Sequence, residues 1–257
     1  MQALINAVAT RQTAGTPAQL LRWYNDHVNL LLRFEDLDVA TLYRRISVHR
    51  TSPSEPDYLC LYRFASMASF VEFEASNAKE LARQVTQTGW GLHGIEIMQR
   101  SQYLVGGRLT GLCSSVGPGV SDPLSDSANF YIQCLDMTGA EAETRRWLAD
   151  RLYLAAIQAG LRRCEWHTSQ ASPSGQQQVI VLAAGPTRAE PLDSRTDSSA
   201  EPSTKSPATP PSEWPAGWSH WWADTGVQSH GEPLGIAPTA VAVAWQAGYQ
   251  RMCEWSR

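Results

Sequence analysis

The feature that most constrains the fold is the order of elements that the first 105 residues encode. Hydrophobic periodicity predicts a strand over 3–9, a helix from Pro17, strands at TLYRRISV and DYLCLYRF, a helical stretch ending at Gly89, and a closing strand, HGIEIMQRSQYLV. The order strand, helix, strand, strand, helix, strand is that of the ferredoxin-like unit, an antiparallel sheet with helices on one face only. Its other face must therefore be covered by something else.

Residues 128–257 repeat this order. NFYIQCLD predicts a strand, Thr138 and Glu141 form a capping box before the helix AEAETRRWLADRLYLAAIQAG, and RRCEWHTS and QQQVIVLAAG predict two further strands. The first helices of the two halves share four aligned identities, Arg22/Arg146, Trp23/Trp147, Asp26/Asp150 and Leu30/Leu154. We expect an α+β protein with two ferredoxin-like βαββαβ repeats, whose antiparallel sheets pack face to face as a barrel within one chain.

Composition places the boundaries between these units. Residues 106–127 are rich in Gly, Ser and Pro and predict a linker between a first repeat, 1–105, and a second, 128–257. Residues 187–212 hold Ser, Thr, Pro and charges, and predict a disordered insertion. The next segment predicts the last helix, with an apolar stripe formed by Trp214, Trp218, Trp221 and Trp222. We assign no element to 227–248.

The overall charge narrows the range of partners. The net charge is −4 and the 21 Lys and Arg residues are dispersed, which argues against nucleic acid or an anionic membrane as partner. The N-terminus lacks the basic and apolar regions of a signal peptide, and no apolar run reaches the length of a membrane span. Five dispersed cysteines suggest reduced thiols. We expect a cytoplasmic protein, monomeric or homodimeric, that binds a small apolar molecule.

The first helix carries a histidine on its core-facing side. Thr16 can cap this helix, with Pro17 at its first position and Gln19 completing a capping box. His27 shares a helical stripe with Tyr24, so its titratable ring faces the core. An imidazole can take and give a proton near neutral pH, although a core histidine bonded to a backbone carbonyl is the structural alternative.

Three segments of the first half resemble a known family. WYNDHVN on the helix, YRR on the next strand and YLCLYRF on the following one resemble the EthD-like branch of the dimeric α+β barrel superfamily. There, two ferredoxin-like units, usually from two chains, form a barrel and hold a ligand near it. The resemblance implies a fused tandem version, with His27 as the residue of interest and Trp23 and Tyr24 beside it. Arg151 stands at the corresponding place in the second half.

Candidate site residues follow from this resemblance and from side-chain chemistry. We predict His27, Tyr62 and Arg44 as catalytic residues, because a phenol or a guanidinium can stabilise an oxygen on which charge develops. Paired strand-end arginines and packed tyrosines are the structural alternatives for the last two. The predicted substrate-binding residues are Asn6, Trp23, Tyr24, Tyr43, His49 and Arg63.

Other chemistries have weaker support in the sequence. Glu165 and His167 alternate on one strand and share a face, but a metal site needs three or four ligands and no third is evident. SSVGPGV lacks the flanking strand and helix of a phosphate loop, and no GxSxG motif is present. We therefore expect neither a metal nor another cofactor.

These observations favour a cofactor-independent enzyme of the lyase, dehydratase, cyclase or isomerase type. It would act on a small apolar carbonyl or phenolic compound in a barrel pocket, with His27 as general acid and base. The alternatives are a non-catalytic ligand-binding or regulatory barrel, a haem-binding member of the superfamily, which a Soret band would reveal, and a structural protein with a filled barrel.

Overall fold

The structure is a computed structural model that describes residues 2–46, 55–110, 129–139, 141–158, 161, 163–170, 176–184 and 240–256. His49, the predicted insertion at 187–212 and the predicted tryptophan-rich helix lie outside these residues. In chain order the elements are β1 (Leu4–Gln12), α1 (Pro17–Leu31), β2 (Leu37–Arg45), β3 (Tyr58–Phe64), α2 (Met67–Glu74), α3 (Asn77–Thr88), α4 (Gly91–Gly94), β4 (Ile95–Thr110), β5 (Asn129–Thr138), α5 (Glu141–Gln158), β6 (Arg163–Thr168), β7 (Gln176–Ala184) and β8 (Ala240–Ser256).

The eight strands close into one antiparallel barrel in the order β1-β3-β2-β8-β5-β7-β6-β4. The first half contributes the run β4-β1-β3-β2 and the second half the equivalent run β8-β5-β7-β6, each in the strand order of a ferredoxin-like sheet. The pairs β2–β8 and β4–β6 join the two runs. The expected α+β barrel within one chain is confirmed, and its two sheets are hydrogen-bonded to each other along both edges.

Two long strands make these junctions. The first part of β4 pairs with β1 and its last residues, Leu104 to Thr110, pair with β6 in the other half. In the same way, β8 pairs with β5 over Ala240 to Gln250 and then with β2 up to Ser256. At 16 and 17 residues these strands exceed the usual strand length, because each completes its own sheet and then extends the other.

Strand alternation sorts the core into three layers. One set of side chains fills the barrel interior, including Ile5, Leu61, Ile132 and Leu182. A second set lies between the outer face of the first sheet and helices α1 to α3, and a third lies under α5 on the second sheet. The helices therefore cover the outside of the barrel, and each sheet has an inner and an outer layer.

Helix α1 begins as the sequence predicts. The Thr16 hydroxyl accepts a hydrogen bond from the Gln19 backbone N–H at 3.3 Å, and the Thr16 N–H donates to Gln19 Oε1 at 2.8 Å. Pro17 occupies the first turn, where its missing N–H has no consequence. The capping box is confirmed, and it fixes the position at which α1 starts to pack on the sheet.

The predicted linker begins five residues too early. Residues 106–110 are the end of β4, and only 111–127 of that segment lie outside the described residues. The two glycines at this point serve packing: a Cβ on Gly106 would lie 2.8 Å from Cδ1 of Trp166, and one on Gly107 would overlap the same indole. A glycine pair that suggests a loop in the sequence here accommodates a tryptophan of the neighbouring strand.

Replacing Gly107 by alanine should destabilise the barrel by about 1–3 kcal/mol, because the added methyl group forces Trp166 out of its position. Gly248→Ala is the matched control, since no atom lies within 4 Å of a Cβ at that strand position. Urea denaturation of both variants measures the difference. Equal stabilities would contradict the packing role assigned to Gly107.

Candidate functional site

The structure distributes the predicted site residues over two faces of the first sheet. Five of them lie in the layer between the outer sheet face and the helices, which we call the helix layer: Asn6, Trp23, Tyr24, His27 and Tyr62. Two others, Tyr43 and Arg63, line a cavity inside the barrel. The sequence grouped these residues into one site, and the sheet separates them into two groups.

The position of His27 corrects one part of the prediction. Its ring stacks on Trp23 with centroids 4.8 Å apart, and it contacts Thr86 of α3, so it lies between helices on the outside of the barrel. The barrel cavity is on the other face of the sheet. His27 therefore does not act inside the barrel, and any chemistry it performs belongs to the helix layer.

The hydrogen bonds of Thr86 indicate which nitrogen of His27 carries the proton. The Thr86 hydroxyl donates its single hydrogen to the Ala82 carbonyl at 3.0 Å. His27 Nδ1 lies 3.2 Å from the same hydroxyl oxygen, which can accept a hydrogen bond from Nδ1–H. This tautomer leaves Nε2 with a lone pair, which is the form that a general base requires.

The surroundings of His27 keep it neutral. Burial lowers the pKa of His27 to about 4, the hydrogen bond to the Ala82 carbonyl raises it, and the positive charge of Arg100 lowers it further. Burial also raises the pKa of Tyr62 well above its ordinary value, with smaller contributions from Cys60 and Tyr24, and Arg100 opposes this rise. At neutral pH the layer therefore holds a neutral imidazole and a protonated phenol.

Arg100 is the functional candidate that the sequence analysis missed. It lies on β4 opposite Val8, is exposed, and influences the pKa values of both His27 and Tyr62. It makes no ion pair or hydrogen bond within the described part of the chain. The outward alternation of β4 was the available signal, but only the pairing of β4 with β1 places Arg100 beside this layer.

Arg44, predicted for the same role, lies elsewhere. Its Nη2 donates to Gln250 Oε1 at 3.3 Å, at the junction of β2 and β8. Strand β2 is separated from β1 by β3, whereas β4 is the direct neighbour of β1. Arg100, and not Arg44, is the arginine whose charge influences the pKa values of both His27 and Tyr62.

Two buried polar atoms in the helix layer lack hydrogen-bond partners among the described residues. They are the indole Nε1 of Trp23, a donor, and the amide Oδ1 of Asn6, an acceptor. Buried polar groups are nearly always paired, so unpaired ones need an explanation. A polar group of a bound molecule near either atom would supply a partner. Tyr24 is already paired, because its hydroxyl lies 2.9 Å from Thr10 Oγ1.

The inner face of the sheet holds a separate cavity of about 140 Å³ at one end of the barrel. Its charged lining residues come from four strands, and we call this group the barrel mouth: Arg63, Arg108, Arg163, Glu165, Arg251 and Glu254. Tyr43 and apolar side chains complete the walls. This cluster was not predicted, apart from Arg63, since its members meet only through long-range strand pairing.

Glu165 is the centre of an ionic network in the barrel mouth. Its carboxylate lies 3.0 Å from Arg108 Nε, 2.5 Å from Arg163 Nη2 and 2.9 Å from Nε2 of the fully buried His167. Burial alone raises the pKa of Glu165, but the contacts with His167 and Arg163 outweigh it and hold the pKa well below its usual range. Glu165 and His167, which share a strand face in the sequence, here lie within hydrogen-bonding distance of each other.

Two further expectations concern metals and membranes. No group of three or more His, Cys, Asp or Glu side chains in the described ranges could hold a metal ion. Among the helices that the structure describes, none has the length and apolar character needed to cross a bilayer.

No protein-family model matches the chain, and no curated protein matches it. Several solved structures do match the chain. An anthrone oxidase-like protein is 10% identical, with a TM-score of 0.50, and the match covers 99% of this chain and 93% of that one. A putative monooxygenase from Fusobacterium nucleatum subsp. nucleatum is 6% identical, with a TM-score of 0.53 and coverage of 100% and 95%. An EthD family protein from Bacillus halodurans is 13% identical, with a TM-score of 0.30 and coverage of 40% and 96%.

These similarities establish the fold over the whole chain. The protein has the fold of the dimeric α+β barrel superfamily, with both units contributed by one chain. The fold expected from the resemblance of WYNDHVN and its neighbouring strands, an α+β barrel of two ferredoxin-like units, is confirmed.

Proposed function

We propose that the protein is an enzyme that moves a proton on a small apolar molecule bearing a carbonyl or phenol, without a cofactor, in the helix layer. The observation that carries this proposal is the neutral imidazole of His27, in contact with Thr86 through Nδ1 and in the same layer as Tyr62, with the charge of Arg100 acting on both. A base, a donor and a positive charge are the groups that enolisation requires.

The roles follow from the chemistry of each group. His27 Nε2 takes a proton from a carbon that is next to the carbonyl or conjugated with it through an aromatic ring, and the electrons of the broken C–H bond move onto the carbonyl oxygen. Arg100 and the protonated Tyr62 stabilise the negative charge that develops there. Returning the proton to another atom gives isomerisation, and loss of a hydroxyl from the neighbouring carbon gives dehydration. Trp23 Nε1 and Asn6 Oδ1 would orient the substrate.

The neighbouring structures suggest a first probe. One of them is described as anthrone oxidase-like, and anthrone is an apolar tricyclic ketone with acidic methylene protons next to its ring system. A substrate of this class matches the aromatic surroundings of His27, where Trp23 stacks on the imidazole and Trp90 lies 6.4 Å from Trp23.

Deuterium exchange tests the proposal directly. In D₂O under argon, the wild-type protein should accelerate exchange of the methylene protons of anthrone, or of another enolisable ketone in a panel, above the buffer rate. His27→Gln should lower the catalysed rate at least tenfold, because a neutral amide cannot accept the proton. NMR of the ketone measures the exchange, and His93→Gln, at an exposed histidine, is the matched control.

The outcome also separates the alternatives. An exchange rate that is unchanged in folded His27→Gln protein would contradict the catalytic role of His27. Ketones that bind without any catalysed exchange would instead favour the non-catalytic ligand-binding or regulatory barrel.

We further propose that one chain is sufficient for function, so the protein acts as a monomer or as a homodimer of complete barrels. Both sheets of the barrel come from the same chain and are joined at both edges, which removes the need for a partner to complete it. Light scattering should give the mass of one chain or two. An obligate larger assembly would contradict this proposal.

A further inference from the structure

The barrel mouth contains an arginine without a counter-charge. Arg63 is partly buried and lines the 140 Å³ cavity, yet it makes no ion pair or hydrogen bond within the described part of the chain. By contrast, Arg108 and Arg163 share Glu165, and Arg251 lies 3.6 Å from Glu254. With four arginines and two glutamates around the cavity, the mouth carries excess positive charge.

Deeper in the barrel than the arginines, the walls of the same cavity are apolar. Arg63 pairs with Ile5 near the end of the barrel, and strand alternation places Leu61 one inward-facing position deeper. Leu182 and Phe130 line the cavity from the second half. The cavity therefore combines apolar walls with a positively charged rim.

From this arrangement we infer that the barrel mouth is a second binding site, for a small organic carboxylate with an apolar body of about one ring. A planar guanidinium can bind a carboxylate through two parallel hydrogen bonds. The N–H groups of Arg63 that would make these two bonds have no partner within the described part of the chain. The volume fits such a body, because a cavity of about 150 Å³ is known to hold benzene. The site is distinct from the proposed catalytic layer, from which the sheet separates it.

Tyr43 adds to the selectivity of this site. Burial raises the pKa of Tyr43, and the nearby Glu165 raises it further, so its hydroxyl stays protonated and can donate. Glu254 at the rim opposes an anion, although Thr41 Oγ1 donates to it at 3.4 Å and Arg251 partly neutralises it. The balance between Arg63 and Glu254 should therefore set the affinity for an anion.

Calorimetric titration with sodium benzoate at low salt tests the inference. Wild-type protein should bind benzoate more tightly than benzamide, its neutral analogue, and more tightly than inorganic phosphate, which lacks the apolar body. Arg63→Gln should weaken benzoate binding at least tenfold, and Glu254→Gln should tighten it severalfold. Arg22→Gln, the same change at an exposed position of α1, should have no effect.

Each other result overturns a defined part of the inference. No benzoate binding up to about 10 mM, or equal binding of benzamide, removes the anion site. Phosphate binding as tight as benzoate binding removes the role of the apolar walls. Unchanged affinity in folded Arg63→Gln protein removes Arg63 from the site. None of these results bears on the deuterium exchange assigned to His27, so the two proposals fail independently.

Discussion

Replacing Glu165 by alanine is expected to lower the free energy of unfolding by about 3–5 kcal/mol, the largest effect of any substitution proposed here. The variant leaves the partly buried guanidinium of Arg163 and the fully buried imidazole of His167 without their common carboxylate. Removing one partner of a buried ionic network costs more than the network contributes, because the remaining groups stay desolvated. Urea denaturation followed by circular dichroism measures the loss.

The control for this prediction is a similar ion pair on the surface. Glu96 lies 3.3 Å from Arg11 with its side chain 54% exposed, so Glu96→Ala should change the stability by less than about 1 kcal/mol. If Glu165→Ala were as mild as Glu96→Ala, the barrel mouth would be solvated in solution, and the network could not hold its arginines in place for a ligand.

The second prediction concerns acid. His27 has a folded pKa of about 4 against about 6.5 in an unfolded chain. Between these values the unfolded chain binds more protons, so stability falls as the pH drops from about 6.5 towards 4 and is unaffected by this group above that window. This pKa shift corresponds to a loss of at most about 3 kcal/mol in the free energy of unfolding. The partial exposure of the His27 ring reduces the expected loss to about 2 kcal/mol.

His27→Gln should therefore lose about 2 kcal/mol less stability than the wild type between pH 7.5 and pH 4.5. Urea denaturation at both pH values measures this, with His93→Gln as the exposed control. Glu165, whose pKa is low, also costs stability in acid, but it does so equally in wild type and variant. An identical pH dependence of both proteins would show that His27 is solvated, and the tautomer assigned to it would lose its support.

Local signals predicted the parts of the fold that depend on local sequence. The cap of α1, the alternation of β1 and the order of elements in the first half all arise from neighbouring residues, and the structure agrees with each. The end of β4 was missed because its glycines match Trp166, 59 residues further along the chain. A loop and a packing site for a remote indole have the same local composition.

The sequence indicates which of the candidate residues face a core, but not how they are grouped in space. Periodicity correctly directed His27 and Tyr24 towards a core, but a barrel has an inner and an outer core, and nothing local distinguishes them. Arg100 and Arg44 have similar strand contexts in the sequence. Only the order of strands shows that β4 is adjacent to β1 while β2 is not. The barrel mouth is the extreme case, since its charged residues come from four different strands.

The long strands that span both sheets have a consequence for biosynthesis. Strand β2 finds its outer neighbour only in β8, and the contact between Thr41 and Glu254 joins residues 213 positions apart. During translation, the first sheet must therefore wait with open hydrogen-bonding edges while most of the remaining polypeptide is made. Closure of the barrel by β8 should be the slow event in folding. Nascent chains interrupted before β8 should be prone to aggregate or to bind chaperones.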